Sequence, residues 1–105
     1  MKMKKKKIES DRAILGETVR SLRKAHKLNQ TALAKAIGRS IATVSKIESG
    51  DHPVGIDLLI RLAEALKTTA PRLAWSVQKP KTDPALVPVY ESLLDTLDGV
   101  KPQKA

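Results

Sequence analysis

The sequence predicts an all-α fold, a compact bundle of five helices followed by a short C-terminal helical extension. Three observations carry this expectation. The 105 residues include one Trp, one Tyr and no Phe, so a core must be built from Leu, Ile, Val and Ala, which suits packed helices better than a β-sandwich. Apolar residues recur at helical spacing along most of the chain. Residues that can cap a helix start or close a helix end separate those segments at short intervals. A chain of this length is one domain with room for a tail at each end.

Taken in order, residues 1–7 are a like-charge run with nothing to bury, and residues 1–10 read as a basic arm. Ser10 is placed to cap a helix over about residues 11–26, with Leu15, Val19 and Leu22 on one stripe and Arg20, Lys24 and Lys27 away from it. Asn29 can offer its side-chain oxygen to an orphan N–H of the next helix, since residues 30–37 are rich in strong helix formers. Gly38 stops that helix by adopting a left-handed conformation. Only Arg39 and Ser40 intervene before a third helix, capped by Ser40 and ended by Gly50. Two short helices joined by so short a turn must cross at a steep angle.

A loop containing Pro53 and Gly55 leads to a fourth helix over about residues 56–67, apolar at Ile56, Leu59, Ile60, Leu62, Ala63 and Leu66. Thr69 caps a short fifth helix that has Pro71 in its first turn and Leu73 and Trp75 near its end. Residues 11–77 thus form the domain, and residues 78–105 a linker and an amphipathic segment. In that segment Leu86, Val89 or Tyr90, Leu93 and Leu97 recur at helical spacing, and Gly99 ends it. Asp83 and Pro84 offer a cap and first-turn pair. Pro88 at the fifth helical position favours the alternative, a turn followed by a shorter helix from Val89.

Charge is unevenly placed. Residues 1–50 hold 13 Lys and Arg against 4 Asp and Glu, whereas residues 51–105 hold 7 against 7, so the whole net charge of +9 lies in the first half. Such asymmetry points to a polyanionic partner, nucleic acid before membrane. No cysteine is present, which removes disulfides, thiolate metal sites and cysteine nucleophiles. No apolar run approaches the length of a membrane helix, and the basic N-terminal residues lack the apolar stretch of a secretory signal. A cytoplasmic protein is expected, with no membrane partner. His26 and His52 have no carboxylate cluster nearby, and no phosphate loop, triad order or paired carboxylates argue for an enzyme, a metal or a cofactor.

Gln30, Ala34, Gly38, Val44 and Ile47 form a spaced set in which each residue type has a physical task. Ala34 is small enough for the helix pair to approach closely, Gly38 makes the turn, and Val44 and Ile47 face Leu33 and Ile37 one helical turn apart. Projected at 100° per residue, Ala42, Lys46 and Ser49 fall within about 40° of the pole opposite Val44, Ser45 lies beside them, and Ile41 and Thr43 sit on the shoulders.

With its caps and the following Glu48-Ser49-Gly50, the set resembles the phage repressor and Cro-like (Xre-type) helix-turn-helix family. The resemblance spans about residues 14–75 and is carried by "LGETVRSLRKAHKLNQTALAKAIGRSIATVSKIESG" and by "LLIRLAEAL" after it. It implies a bundle of five helices whose third helix enters the major groove of double-stranded DNA, usually as a twofold dimer. Base contacts are then expected from Ile41, Ala42, Thr43, Ser45 and Lys46. Phosphate contacts are expected from Asn29, Gln30, Arg39, Ser40, Ser49 and His52, and Lys4, Lys5, Lys6 and Lys7 form a DNA arm or merely solubilise. Arg23 and Glu48 match a structural pair of the family.

Where the family commonly carries polar readers, this chain has Ile41 and Ala42, which suit packing on thymine methyls, while Lys46 suits guanine O6 or N7. Arg39 replaces a usually apolar turn residue, and Asp51-His52 replaces a basic pair. The resemblance therefore implies a sequence-specific transcriptional regulator, a repressor acting as a homodimer on a near-palindromic operator. Its dimer interface is expected in residues 59–66, in residues 73–75, or, preferentially, in the segment 86–97, which alternatively packs back on its own bundle. Trp75 would be a core lid or a dimer contact. Two other readings stay open: an antitoxin whose residues 78–105 bind a cognate toxin, and a protein-interaction module without DNA binding.

Overall fold

The structure, a computed structural model, describes residues 10–98. Helix α1 spans Asp11–Ala25, α2 Gln30–Ile37, α3 Ile41–Ser49, α4 Ile56–Ala65 and α5 Ala70–Gln78; a 3-10 turn at Lys79–Lys81 follows, and α6 spans Val87–Asp98. No strand occurs among the described residues, and no described helix is long and apolar enough to cross a membrane.

The predicted caps form. Ser10 Oγ accepts from the amide of Ala13 at 3.1 Å, Asn29 Oδ1 from Ala32 at 2.8 Å, Ser40 Oγ from Thr43 at 3.1 Å and Thr69 Oγ1 from Arg72 at 3.3 Å. Each such cap typically stabilises by about 1 kcal/mol. Four helices also end in one way, with a left-handed residue after which the next amide bonds five residues back. At Gly38 (φ 69°) and Gly50 (φ 83°) this costs little. The ends of α1 and α4 use Lys27 (φ 59°) and Lys67 (φ 58°), where a side chain makes the same turn less favourable by roughly 1 kcal/mol. The closing bonds run from Leu28 N to Arg23 O, Arg39 N to Ala34 O, Asp51 N to Lys46 O and Thr68 N to Ala63 O, all 2.8–3.0 Å.

The core is aliphatic, as composition requires: Val19, Leu33, Ile37, Val44, Ile47, Leu62, Leu66 and Leu73 are fully enclosed. Three expectations need correction. On α4, Leu58 joins Leu62, Ala63 and Leu66 in the core, Leu59 is half-buried, and Ile56 and Ile60 are exposed at 68% and 43%. Two residues along a helix turn through about 200°, so choosing Leu58 for the interior turns Ile56 and Ile60 outward. Residues 79–81 are a 3-10 turn rather than an open linker, and Lys81 is paired with Asp11 at the start of α1. Asp83 and Pro84 open a turn, in which Asp83 Oδ1 accepts from Ala85 N at 2.9 Å, and α6 then begins at Val87 with Pro88 in its first turn, where its missing N–H is harmless. Of α6, Leu94 enters the core, while Leu86, Val89, Tyr90, Leu93 and Leu97 remain exposed.

Helix α1 packs against α3 and α5, α2 against α3 and α4, and α4 against α5. The α1–α3 crossing is close. A Cβ added to Gly16 would lie 2.6 Å from the Glu48 carbonyl oxygen and closer still to that of Ile47, both of them backbone atoms. Gly50 abuts the Ala13 backbone in the same crossing. Gly16→Ala is therefore expected to destabilise by about 2–3 kcal/mol despite its better helix propensity, because overpacking here must displace α3 as a unit. Gly55→Ala, with nothing within 4 Å of the added atom, should be near neutral; urea unfolding of the two variants checks both.

Candidate nucleic-acid interface

Helix α3 exposes the side that the sequence pattern marks out. Val44 and Ile47 are fully enclosed by α1 and α2, and Ile41, Ala42, Ser45, Lys46 and Ser49 are exposed on the other side, with Thr43 half-buried at the edge. The result is a surface of small and apolar groups with one cation, Lys46. Its rotation about the helix axis is set by what lies beneath it.

Beneath it is a polar brace. The Arg23 guanidinium grips the Glu48 carboxylate through Nε–Oε2 at 2.6 Å and Nη2–Oε1 at 3.2 Å, and its Nη1 donates to the Leu28 carbonyl at 2.8 Å. Gln30 Nε2 donates to the same Glu48 Oε1 at 3.1 Å. One carboxylate thus joins α1, the start of α2 and the end of α3. The two charged side chains are only 10% and 6% exposed, and no buried side-chain polar atom lacks a partner among the described residues. The expected structural pair forms, and Gln30 belongs to the brace.

The remaining predicted residues are placed around this face with part of their hydrogen-bonding capacity already used. Asn29 commits its side-chain oxygen to capping α2, so a phosphate contact falls to its amide nitrogen. The hydroxyls of Ser40 and Thr43 share a 3.0 Å hydrogen bond. Ser49 Oγ donates to Asp51 Oδ2 at 2.9 Å and lies 3.1 Å from the Lys46 carbonyl. His52 Nδ1 is 2.7 Å from the Pro53 carbonyl, which makes Nδ1 the donor; Nε2 can then donate to a phosphate only in the doubly protonated ring. Arg39 is exposed beside Gly38. Lys4, Lys5, Lys6 and Lys7 lie outside the described residues.

Arg20 was not anticipated as part of this face, and Asp51, already noted as replacing a basic residue, takes a position that the sequence does not give. Arg20, which the sequence pattern shows only as lying off the apolar stripe, lines a polar groove of about 260 Å³ with Arg23, Gln30, Ser45, Glu48 and Ser49. It adds an exposed cation beside α3. Asp51 places a carboxylate at the C-terminal end of α3, where it opposes the helix dipole and is held by Ser49. The spacing of Arg20 three residues before Arg23 was the available signal for the first, since residues three apart share a helix face; the second depends on the path of the chain after Gly50.

Glu48→Ala would leave Arg23 buried without its counter-charge and Gln30 without its acceptor. A loss of about 3–5 kcal/mol of stability is expected in chemical denaturation. Unchanged stability would show that the brace does not hold the three helices together.

Residues 14–75 match the family model of a helix-turn-helix domain. The control protein C.SmaI of Serratia marcescens is 38% identical over 60 residues, covering 57% of this chain and 71% of that protein. Among solved structures, the restriction-modification controller protein C.AhdI from Aeromonas hydrophila is 32% identical, covers 60% of this chain and 96% of its own, and superposes with a TM-score of 0.58. The clp gene regulator ClgR from Corynebacterium glutamicum is 26% identical with a TM-score of 0.65, covering 90% of this chain and 98% of its own. With its corner at Gly38, its exposed third helix and these relatives, the chain belongs to the helix-turn-helix family of repressor and Cro-like (Xre-type) transcriptional regulators.

Proposed function

We propose that this protein is a repressor that binds a near-palindromic operator in double-stranded DNA as a homodimer, with α3 in the major groove. The observation that carries this reading is the exposed side of α3, rigidly oriented by the Arg23–Glu48–Gln30 brace and flanked by the basic half of the chain. A twofold dimer would set two copies of α3 about 34 Å apart, one turn of DNA. The relatives named as control, controller and regulator proteins support regulation over the antitoxin alternative, and no observation supports a toxin partner.

On this reading, Ile41 and Ala42 pack on thymine methyls, Lys46 donates to a guanine, and Thr43 and Ser45 complete the base-facing set. Asn29, Gln30, Arg39, Ser40, Ser49 and His52, joined by Arg20, fix the register on phosphates without reading sequence. Residues 1–10 act as a basic arm, 11–77 as the DNA-binding domain and 78–105 as the extension that serves dimerisation. The protein works in the cytoplasm and uses no cofactor.

Selection of bound duplexes from a random pool is the direct test; recovery of no consensus from a folded, dimeric sample would sink the proposal. Lys46→Ala should cost about 1–3 kcal/mol against the preferred duplex and relax preference at one position. An equal loss on every duplex would instead make Lys46 a phosphate contact. Removing residues 1–7 should flatten the dependence of affinity on salt, because each lost phosphate contact removes counterion release; titrations at a series of salt concentrations read the slope.

A further inference from the structure

We propose that Arg61 of α4, paired with Arg39 in the turn before α3, is a further contact to the nucleic-acid backbone. On this inference Arg61 is a positioning residue that holds a phosphate at the N-terminal end of α3. It deepens the DNA-binding reading and rests on that reading for the partner, but it is argued from the cations gathered around Gly38.

Two elements bring cations to the corner between α2 and α3. Arg61 lies on α4, which packs against α2, and its Nη1 reaches the Ile37 carbonyl at 3.5 Å. Arg39 Nη1 is 3.4 Å from the carbonyl of Gly38, the next residue. The two guanidiniums therefore stand at consecutive carbonyls of one left-handed corner, and both residues are exposed. Gly38 leaves room for this approach, since a Cβ there would come within 3.3 Å of Arg61 Nη1. Lys35, exposed in the last turn of α2, is a third cation at the same end of that helix.

These contacts leave the pair unsatisfied. Both are long for a hydrogen bond, and each leaves most N–H donors of its guanidinium unused. A cation beside the last carbonyls of α2 does suit the helix dipole, which accounts for where Arg61 points. The ordinary partner for the remaining donors is a carboxylate, yet among the described residues neither arginine has an ion pair. Arg61 has candidates at helical spacing, because Asp57 precedes it by four residues and Glu64 follows it by three. It reaches across to α2 instead. Residues 29–47 contain no Asp or Glu that could serve either arginine. Two guanidiniums at one turn repel each other unless anions screen them, and phosphate oxygens match their planar fork.

Charge along α3 selects the end that takes the phosphate. Ahead of its first residue stand Arg39, Arg61 and Lys35, whereas after its last stands the Asp51 carboxylate, held by Ser49 at 2.9 Å. A polyanion is drawn to the first end and repelled at the second. The corner runs into Ile41 within three residues of Gly38. A strand held there therefore brings base edges to the exposed start of α3. Arg20 shares a groove with Ser45 and Ser49 and so serves the later half of the helix. Arg61 serves the half that Arg20 does not reach. As a phosphate contact it fixes register and carries no sequence information.

The test titrates the full chain against the selected duplex and against a duplex of arbitrary sequence, each over a series of salt concentrations. Wild type is compared with Arg61→Ala and with Lys79→Ala, a charge control that pairs with Glu91 on the α6 side. Arg61→Ala should lower the slope of log affinity against log salt by about one for each copy bound, equally on both duplexes. Lys79→Ala should leave the slope unchanged. Circular dichroism checks that the variant is folded; where it is not, Arg61→Gln, which keeps a donor for the Ile37 carbonyl, takes its place in the same titrations. A purely structural Arg61 would change the urea midpoint and leave the salt slope alone. An unchanged slope in the folded variant, a loss confined to one duplex, or an equal loss in Lys79→Ala each overturns the proposal. The arbitrary duplex separates the two readings. A protein that selects no consensus, yet binds that duplex with a slope that Arg61→Ala lowers, removes the operator reading and leaves the Arg61 contact standing. A consensus bound with an unchanged slope does the reverse, and a wild type that binds no duplex overturns both.

Discussion

The position of α3 depends on the absence of a side chain at Gly16. There the backbone of α1 comes against the carbonyls of Ile47 and Glu48, the last turn of α3, and Gly50 rests on Ala13 in the same crossing. Backbone carbonyls cannot rotate aside as a flexible side chain can, so the separation and angle of the two helices are closely constrained. Everything presented on the far side of α3 inherits that constraint. Ile41, Ala42 and Lys46 form a usable surface because Val44 and Ile47 have one place to go.

The polar brace complements this steric contact. A crossing built from glycine and alanine allows close approach but has no directional preference of its own. The fork of Arg23 on Glu48, with Gln30 on the same carboxylate, supplies direction because a bidentate guanidinium–carboxylate pair tolerates little rotation. Glu48 ends α3 next to its exposed face, and its charge is neutralised from below by Arg23. The surface above is correspondingly plain. It offers small and apolar groups, Ile41 and Ala42 among them, with Lys46 as its one cation.

Helix α6 shows how a segment can be docked without being buried. Ion pairs to Lys79 and Arg72, the indole hydrogen bond and Leu94 fasten one side. Exposed ion pairs of this kind are individually weak, so the anchoring rests on several contacts together with the Tyr90–Trp75 ring contact. The side left outward is the one that apolar periodicity picks out, and periodicity alone could not tell whether that stripe packs inward or stays exposed.

Local chemistry is what the sequence determined unaided. Asn29, Ser40 and Thr69 cap, Gly38 and Gly50 close, and the Gln30–Ile47 spacing makes a corner; these follow from groups within a few residues of each other, and each is found where expected. The all-aliphatic core follows from composition in the same way. Only tertiary structure decided the rest. Gly16 looked like one more residue of a helix until the α3 carbonyls stood against it. Leu58 displaced Ile56 and Ile60 from the core because the packing of α4 against α2 and α5, not its own periodicity, fixes its rotation. Lys27 and Lys67 close helices as glycines do because the chain must turn there whatever residue is present. For Gly16 and Leu58 the deciding atoms lie on another element, distant in sequence, and only the folded chain brings them near.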